Sequence, residues 1–144
     1  MITRTLTGRK SHVWSQDPAI DRDHPSFSWD AFLKDGDLKH LPKVEGQEYT
    51  LFEIGPLTRR QMMRVMSLSG MEQVNEAVAF GLKDVKNYVA DGQSVSLEHQ
   101  NQGDEKRLNQ RSLDRIFDPL LFTELGMRII MLSQLDPLSS RGSS

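Results

Sequence analysis

Aspartate and histidine side chains gather near the N-terminus, where they could bind a cation. The segment contains Asp17, Asp21, Asp23 and His24. A calcium loop needs a D-x-D-x-D-G pattern with a distal glutamate, and a helical His/Asp metal site needs a second histidine three or four residues away. This segment has neither pattern. We therefore predict no metal site here and interpret the cluster as solvated loop charge.

Catalytic motifs are missing from the sequence. Neither G-x-S-x-G nor a glycine-rich phosphate loop occurs, and the spacing suggests no Ser/His/Asp arrangement. The four histidines, His12, His24, His40 and His99, lie in segments predicted to be irregular, without H-E-x-x-H spacing. The absence of cysteine excludes thiolate nucleophiles and disulfides. We therefore predict a protein that is not an enzyme and needs no cofactor.

Three arginines spaced four residues apart could form a phosphate-binding column. Arg107, Arg111 and Arg115 would lie along one face of a helix predicted from Arg107 to Phe117. Acidic residues interleave with them, however, and no aromatic side chain lies between them to stack bases. The net charge of -2 also gives no overall attraction to nucleic acid. A solvated helix face is the favoured interpretation, and nucleic-acid binding is a third-placed alternative.

Apolar residues at helical spacing make the C-terminal helix the main core element. Asp118 can cap a helix that begins at Pro119 and continues to about Leu135. One apolar stripe consists of Leu121, Leu125, Ile129, Leu132 and Leu135. Further residues widen it nearly all round, namely Leu120, Phe122, Met127, Ile130 and Met131. Such a helix is either central in the core or partly buried by another subunit.

Methionines suggest a second role for the apolar faces. Four of the seven, Met62, Met63, Met66 and Met71, lie around one predicted helix. They can be ordinary core or an adaptable surface for apolar partner helices. Met62 and Met63 are adjacent and cannot both face inward, so one of them is predicted to be exposed. The residues predicted to contact a partner are Met62, Met66, Leu125, Ile129 and Leu132, and a homo-oligomer is an open alternative.

Local signals place the preceding elements. Thr58 and Gln61 form a capping box, so a helix should begin at Arg59, and Gly70 should end it. A second helix is predicted from Glu72 to about Asn87, with small residues such as Gly81 where another element could approach closely.

Strand signals are short. Residues 48–54 are rich in aromatic and β-branched types and predict one strand. The Asp91-Gly92 pair marks a tight turn, around which Lys86–Val89 and Ser94–Leu97 could pair as a hairpin. Residues 99–106 have no apolar member and are predicted to form a solvated loop.

The N-terminal residues 1–47 show no sustained periodicity and predict an extended arm. Its anchors would be the large apolar residues Trp14, Phe27, Trp29, Phe32 and Leu33. A short helix near 28–34 could be capped by Ser28. Docking on a partner is open, but docking on its own domain is favoured because intramolecular burial needs no partner.

The predicted fold is a mainly α-helical α+β single domain with three or four helices, a short strand or hairpin and an extended N-terminal arm. The helical core domain spans 48–136, and residues 137–144 have the composition of a flexible tail. No apolar run follows the first positive charges, and Leu120–Leu135 is too short and polar to span a bilayer. We expect a cytoplasmic protein without membrane contact.

Residues 54–136 resemble the tail assembly chaperones of long-tailed bacteriophages. The resemblance rests on a short strand, a capped helix, the run Glu76-Ala77-Val78-Ala79-Phe80-Gly81-Leu82-Lys83-Asp84-Val85-Lys86-Asn87, the Asp91-Gly92 turn and a final apolar helix. It implies a non-catalytic protein of the host cytoplasm that binds the tape measure protein and helps recruit tail tube subunits. The longer N-terminal arm departs from that pattern and leaves open a structural virion component, such as a connector or tail-completion subunit.

Overall fold

The computed structural model describes residues 9–90, 92–103 and 105–135, and the predicted tail at 137–144 lies outside them. These residues form an α+β domain, as predicted, but with five α-helices rather than three or four. The helices are α1 (Trp29–Asp35), α2 (Arg59–Met66), α3 (Gly70–Gly81), α4 (Gln110–Ile116) and α5 (Pro119–Leu135). The strands are β1 (Lys10–His12), β2 (Leu51–Ile54), β3 (Leu82–Lys86), β4 (Val89–Ala90), β5 (Gln93–Ser94), β6 (His99–Gln102) and β7 (Glu105–Leu108).

The main sheet joins the N-terminal arm to the rest of the domain. Strand β2 lies in the centre and pairs antiparallel with both β1 and β3. Beyond β1, the arm residues Val13, Ala19, Ile20, Phe32 and Leu41 form a second hydrophobic cluster together with Tyr49 of the core domain. The arm therefore packs on its own domain, which is the alternative that the sequence favoured.

Helices α3 and α5 form the centre of the main core, and small residues let them approach closely. A Cβ atom placed on Gly81 would lie 2.4 Å from Ile129 Cγ2, and one placed on Gly126 would lie 2.8 Å from Val74 Cβ. Gly81 thus provides the close approach predicted from its size. Helix α5 therefore packs on α3 through one of its faces, and the opposite face points away from α3.

The capping box at the start of α2 is confirmed, but the predicted helix ends are wrong. Thr58 and Gln61 exchange the two capping hydrogen bonds, at 3.2 and 2.9 Å. Helix α2 stops at Met66, and Gly70, with a φ of 60°, begins α3 instead of ending α2. Helix α3 ends at Gly81 and not near Asn87, because Leu82–Lys86 pairs with β2.

Two hairpins follow the main sheet. Strands β4 and β5 pair around the predicted turn, although the hairpin is shorter than expected. The segment 99–106 was predicted to form a solvated loop. The residues of β6 are exposed, but β6 and β7 pair as antiparallel strands. Arg107 therefore lies on a strand, and α4 begins only at Gln110, capped by the Asn109 side chain. The predicted column of Arg107, Arg111 and Arg115 along one helix does not form.

The short helix predicted near 28–34 is confirmed as α1, with Ser28 as its N-cap. None of the helices in the described residues is long and apolar enough to cross a membrane.

Asp17 holds the arm in place, which corrects its interpretation as solvated charge. Its side chain is buried, whereas Asp23 and His24 are exposed as predicted. One carboxylate oxygen accepts from the Ala19 amide and the other from the Thr50 amide, each at 2.9 Å. These bonds fix the arm next to the start of β2.

We expect Asp17→Ala to lower the free energy of unfolding by about 2 kcal/mol, because it leaves two amides without their acceptor. Chemical denaturation followed by circular dichroism measures the change. Asp23→Ala is the matched control, since Asp23 is exposed in the same segment. Equal midpoints for the two variants would contradict the structural role of Asp17.

Candidate docking groove between helices α1 and α5

An open apolar groove of about 310 Å³ lies between α1 and the face of α5 that does not pack on α3. Trp29 and Leu33 contribute from α1, and Leu120, Met127 and Met131 contribute from α5. We call these five residues, with the Arg128 side chain beside them, the α1/α5 groove. The three α5 positions are separated by seven and four residues, which is the spacing of one helical face.

The α5 wall of the groove exposes apolar surface. Leu120 is 71% exposed, Met127 47% and Met131 46%. Scattered exposed apolar residues are common on proteins, but several along one face beside a concave surface are typical of a binding site. Methionine is flexible at the side chain and adapts to differently shaped apolar partners.

A buried polar network forms the floor of the groove. His12 is only 1% exposed, and its Nε2 lies 2.7 Å from Glu124 Oε2. The Ser15 amide donates to the same oxygen at 2.9 Å, and the Ser15 hydroxyl donates to Glu124 Oε1 at 2.5 Å. Trp29 stands edge-on to the His12 ring, with ring centroids 5.9 Å apart. Glu124 therefore ties the arm, and through it α1, to α5.

Burial and hydrogen bonding act in opposite directions on Glu124. Burial favours its neutral form and raises the pKa, whereas the hydrogen bonds from His12 and Ser15 favour the carboxylate. The hydrogen bonds prevail, and the pKa of Glu124 lies below its ordinary value. Glu124 is therefore a stable anion at neutral pH.

The meeting of a serine, a histidine and a glutamate was not predicted from the sequence, since His12 and Glu124 are 112 residues apart. Its order does not suit acyl transfer. A catalytic serine donates to the imidazole, which is in turn oriented by the carboxylate. Here the carboxylate lies in the middle and accepts from both neighbours. The arrangement holds two elements together and leaves no activated nucleophile.

Arg128 is the charged residue at the groove that lacks a partner. Its side chain is half-buried and forms no hydrogen bond or ion pair with any other residue that the structure describes. Burial is the only cause acting on its pKa, which it lowers. Partial loss of hydration without an anionic partner is unfavourable for a guanidinium, and the Arg128 nitrogens are not among the buried atoms, so a ligand can reach them.

A second, more polar cavity of about 480 Å³ lies between α2, α3 and α4. Three of its charged side chains pair with one another: Glu76 accepts from Arg64 Nε and from Arg107 Nη2, each at 2.7 Å. Arg107, from the predicted phosphate-binding column, is thus already paired. Across residues 9–90, 92–103 and 105–135, no group of three histidine or acidic residues is arranged to hold a metal ion.

The residues predicted to contact a partner do not form one surface. Leu125 and Ile129 are fully buried in the main core, which corrects their assignment as contact residues, because α3 covers that face of α5. Met62 and Leu132 are partly buried against the same core. Met66 is exposed, but it lies on α2 and does not line the groove.

One prediction about the methionines is confirmed, because Met63 is exposed while its neighbour Met62 packs on the core. The groove residues Leu120, Met127 and Met131 belong to the widened apolar stripe of the sequence. Their spacing was the signal that could have identified them. The sequence alone does not indicate which face of α5 packs against α3.

Comparisons of the chain with protein-family models, with curated proteins and with solved structures found no match.

Proposed function

We propose that the protein is a non-catalytic assembly factor whose α1/α5 groove binds an apolar helical segment of another protein. The exposed Leu120, Met127 and Met131 beside Trp29 and Leu33 carry this proposal. Amphipathic helices commonly bind by laying one apolar face into such a groove. From Leu120 to Met131 the groove follows α5 for about 16 Å, which suits about three turns of a partner helix.

The resemblance of residues 54–136 to phage tail assembly chaperones supports the same proposal and suggests the partner. A tape measure protein has long apolar helical segments that need shielding before assembly, and tail tube subunits would be recruited to the complex. On this proposal the protein acts in the host cytoplasm. The long N-terminal arm left open the alternative of a virion connector, in which the arm would clamp a neighbouring subunit. This alternative loses support, because the arm packs on its own domain.

Nucleic-acid binding also loses support, since Arg107 is paired with Glu76 and is not on α4 with Arg111 and Arg115. Binding of this kind usually needs several unpaired cations along one surface.

We expect the double substitution Met127→Glu and Met131→Glu to abolish binding while leaving the fold intact. Both side chains are exposed, so the new charges remain hydrated in the free protein but would be buried against an apolar helix. The measurement is the yield of a long helical protein, such as a tape measure protein, recovered in the soluble fraction on co-expression. The thermal unfolding midpoint of the variant should match that of the parent protein.

Met63→Glu is the matched control, because Met63 is an exposed methionine on α2, away from the groove. It should solubilise the partner as well as the parent does. Equal loss in both variants, or no loss in the double variant, would contradict the proposed site. Mass spectrometry of purified virions then separates the two assembly roles, since a chaperone should be missing and a connector should be present at stoichiometric amounts.

A further inference from the structure

The charges at the α1/α5 groove are unequally satisfied. Glu124 is the one carboxylate that lines the groove among the described residues, and both of its oxygens already accept hydrogen bonds from His12 and Ser15. Arg128 is the one arginine that lines it, and it has no anionic partner in the same part of the chain. The unsatisfied charge facing the groove is therefore positive.

Other partly buried cations of the domain show what Arg128 lacks. Arg107 is also partly buried, and its Nη2 donates to Glu76 at 2.7 Å, although its Nε has no partner. Lys83 donates to the Phe80 carbonyl at 2.8 Å. Removing water from a charge without supplying a partner is costly, and a ligand that brings the missing anion recovers that cost on binding.

We propose that the groove selects an acidic amphipathic helix, one that places a glutamate or aspartate side chain against Arg128 while its apolar face covers Met127, Met131 and Leu120. This inference rests on the proposed function and specifies its partner. A planar guanidinium can bind a carboxylate through two parallel hydrogen bonds, which gives both attraction and register. Selection against basic helices follows, because a second cation would be buried next to the first.

The surroundings of Arg128 favour a peptide carboxylate over other anions and over a second copy of the chain. Apolar side chains line most of the groove, and a single cation among them offers too few phosphate contacts for nucleic acid. Two copies docked through this face would bring together two Arg128 side chains and two glutamates that are already engaged.

The position of Arg128 also predicts where the acidic residue should lie. Arg128 is eight residues after Leu120 and three before Met131, so it stands near the Met131 end of the groove and not at its centre. A carboxylate should therefore increase affinity when it lies beside one end of the partner's apolar stripe.

The test uses synthetic, fluorescein-labelled amphipathic helices with leucines on one face in an alanine and glutamine background. Members of the set differ at one position flanking the leucines, which is Glu, Gln or Lys, and this position is scanned along the helix. Fluorescence anisotropy with the full chain measures each Kd. At the best position we expect the Glu peptide to bind about fivefold more tightly than the Gln peptide, and the Lys peptide to bind most weakly.

Variants at Arg128 test whether this side chain causes the preference for the Glu peptide. Arg128→Gln should make the Glu and Gln peptides bind equally, and Arg128→Glu should reverse the order in favour of Lys. Arg115→Gln is the matched control, because Arg115 is exposed on α4, and it should keep the parental preference. Circular dichroism establishes that each variant is folded.

The possible results distinguish a failure of the acidic-partner inference from a failure of the proposed function. A Glu preference that persists in Arg128→Gln, or equal binding of all three peptides by the parent protein, overturns the acidic-partner inference and leaves the proposed function standing. If no peptide binds while the Met127/Met131 double variant still solubilises a helical partner, both fail. Sedimentation showing a dimer that Arg128→Glu dissociates would assign the groove to a second copy and overturn the inference as well.

Discussion

Gly81→Ala should strongly destabilise the domain, although it adds only one methyl group. The new Cβ would lie 2.4 Å from Ile129 Cγ2 and 2.8 Å from Cδ1. Ile129 is fully buried where α5 packs on α3, so any rotation of its side chain must displace its neighbours. The helices must separate or distort, and we expect a loss of about 3 kcal/mol, measured by chemical denaturation.

Substitutions of Ile129 test this cause directly. Ile129→Ala removes all three side-chain atoms near the glycine and should cost about 3 to 4 kcal/mol by itself, because it leaves a cavity. Combined with Gly81→Ala, it should cost little more than it does alone, since the added methyl then occupies vacated space. Ile129→Val is the matched control: it keeps Cγ2, so Gly81→Ala should remain costly beside it. Additive losses in both pairs would contradict the steric explanation.

The same substitutions separate folding from binding. Ile129 was predicted from the sequence to contact a partner, whereas the structure places it in the core. Ile129→Ala should therefore lower the midpoint of unfolding, and the protein that remains folded should still bind helical peptides. Met127→Glu, only two positions away along α5, should leave the midpoint of unfolding unchanged and weaken the binding of helical peptides.

Local signals predicted the elements that depend on neighbouring residues. The capping box at Thr58 and Gln61 and the start of α5 at Pro119 both follow from side chains within one turn. By contrast, the apolar spacing of residues 72–87 favoured one long helix, and the chain instead turns at Gly81 to form β3. Pairing with β2, some 30 residues earlier in the sequence, outweighs the local preference there.

The groove was predictable only in part, for a related reason. The composition of α5 showed that apolar residues surround it, but the choice between its faces depends on where α3 and the arm pack. Tertiary packing buried Leu125 and Ile129 and left Met127 and Met131 exposed. The hydrogen bond between His12 and Glu124 joins residues from opposite ends of the chain, and no spacing rule relates them.

Glu124→Gln should have the second large effect, because it removes the anion that holds the arm on α5. A glutamine side chain offers one acceptor oxygen where the carboxylate uses two, so its amide group can meet the Ser15 hydroxyl only as a donor. The bonds from His12 and Ser15 also lose the strengthening that the negative charge gives them. His12 would remain buried without its anionic partner. We expect the free energy of unfolding at neutral pH to fall by about 2 to 3 kcal/mol.

The pH dependence of this loss identifies the carboxylate as its origin. The pKa of Glu124 is lowered in the folded protein relative to its ordinary value of 4.5, so the unfolded chain binds a proton more readily than the folded one. The stabilisation from the anion is therefore present above pH 4.5 and is lost as the pH falls through the lower, folded value. The difference in stability between the parent protein and Glu124→Gln should shrink in that direction.

Denaturation curves recorded from neutral pH into the acid range measure this convergence, and the difference between the two proteins should shrink as the pH falls below 4.5. Ser15→Ala provides an intermediate variant, because it deletes the hydroxyl bond and keeps the amide bond and the His12 pair. The stability of Ser15→Ala should lie between those of the parent protein and Glu124→Gln, and the differences should shrink over the same pH range.

Since Trp29 packs edge-on against His12, loss of the Glu124 anion should also loosen α1 and weaken peptide binding in the groove. A difference in stability that stays constant with pH would mean that Glu124 acts through its shape alone, and the groove would then not depend on its charge.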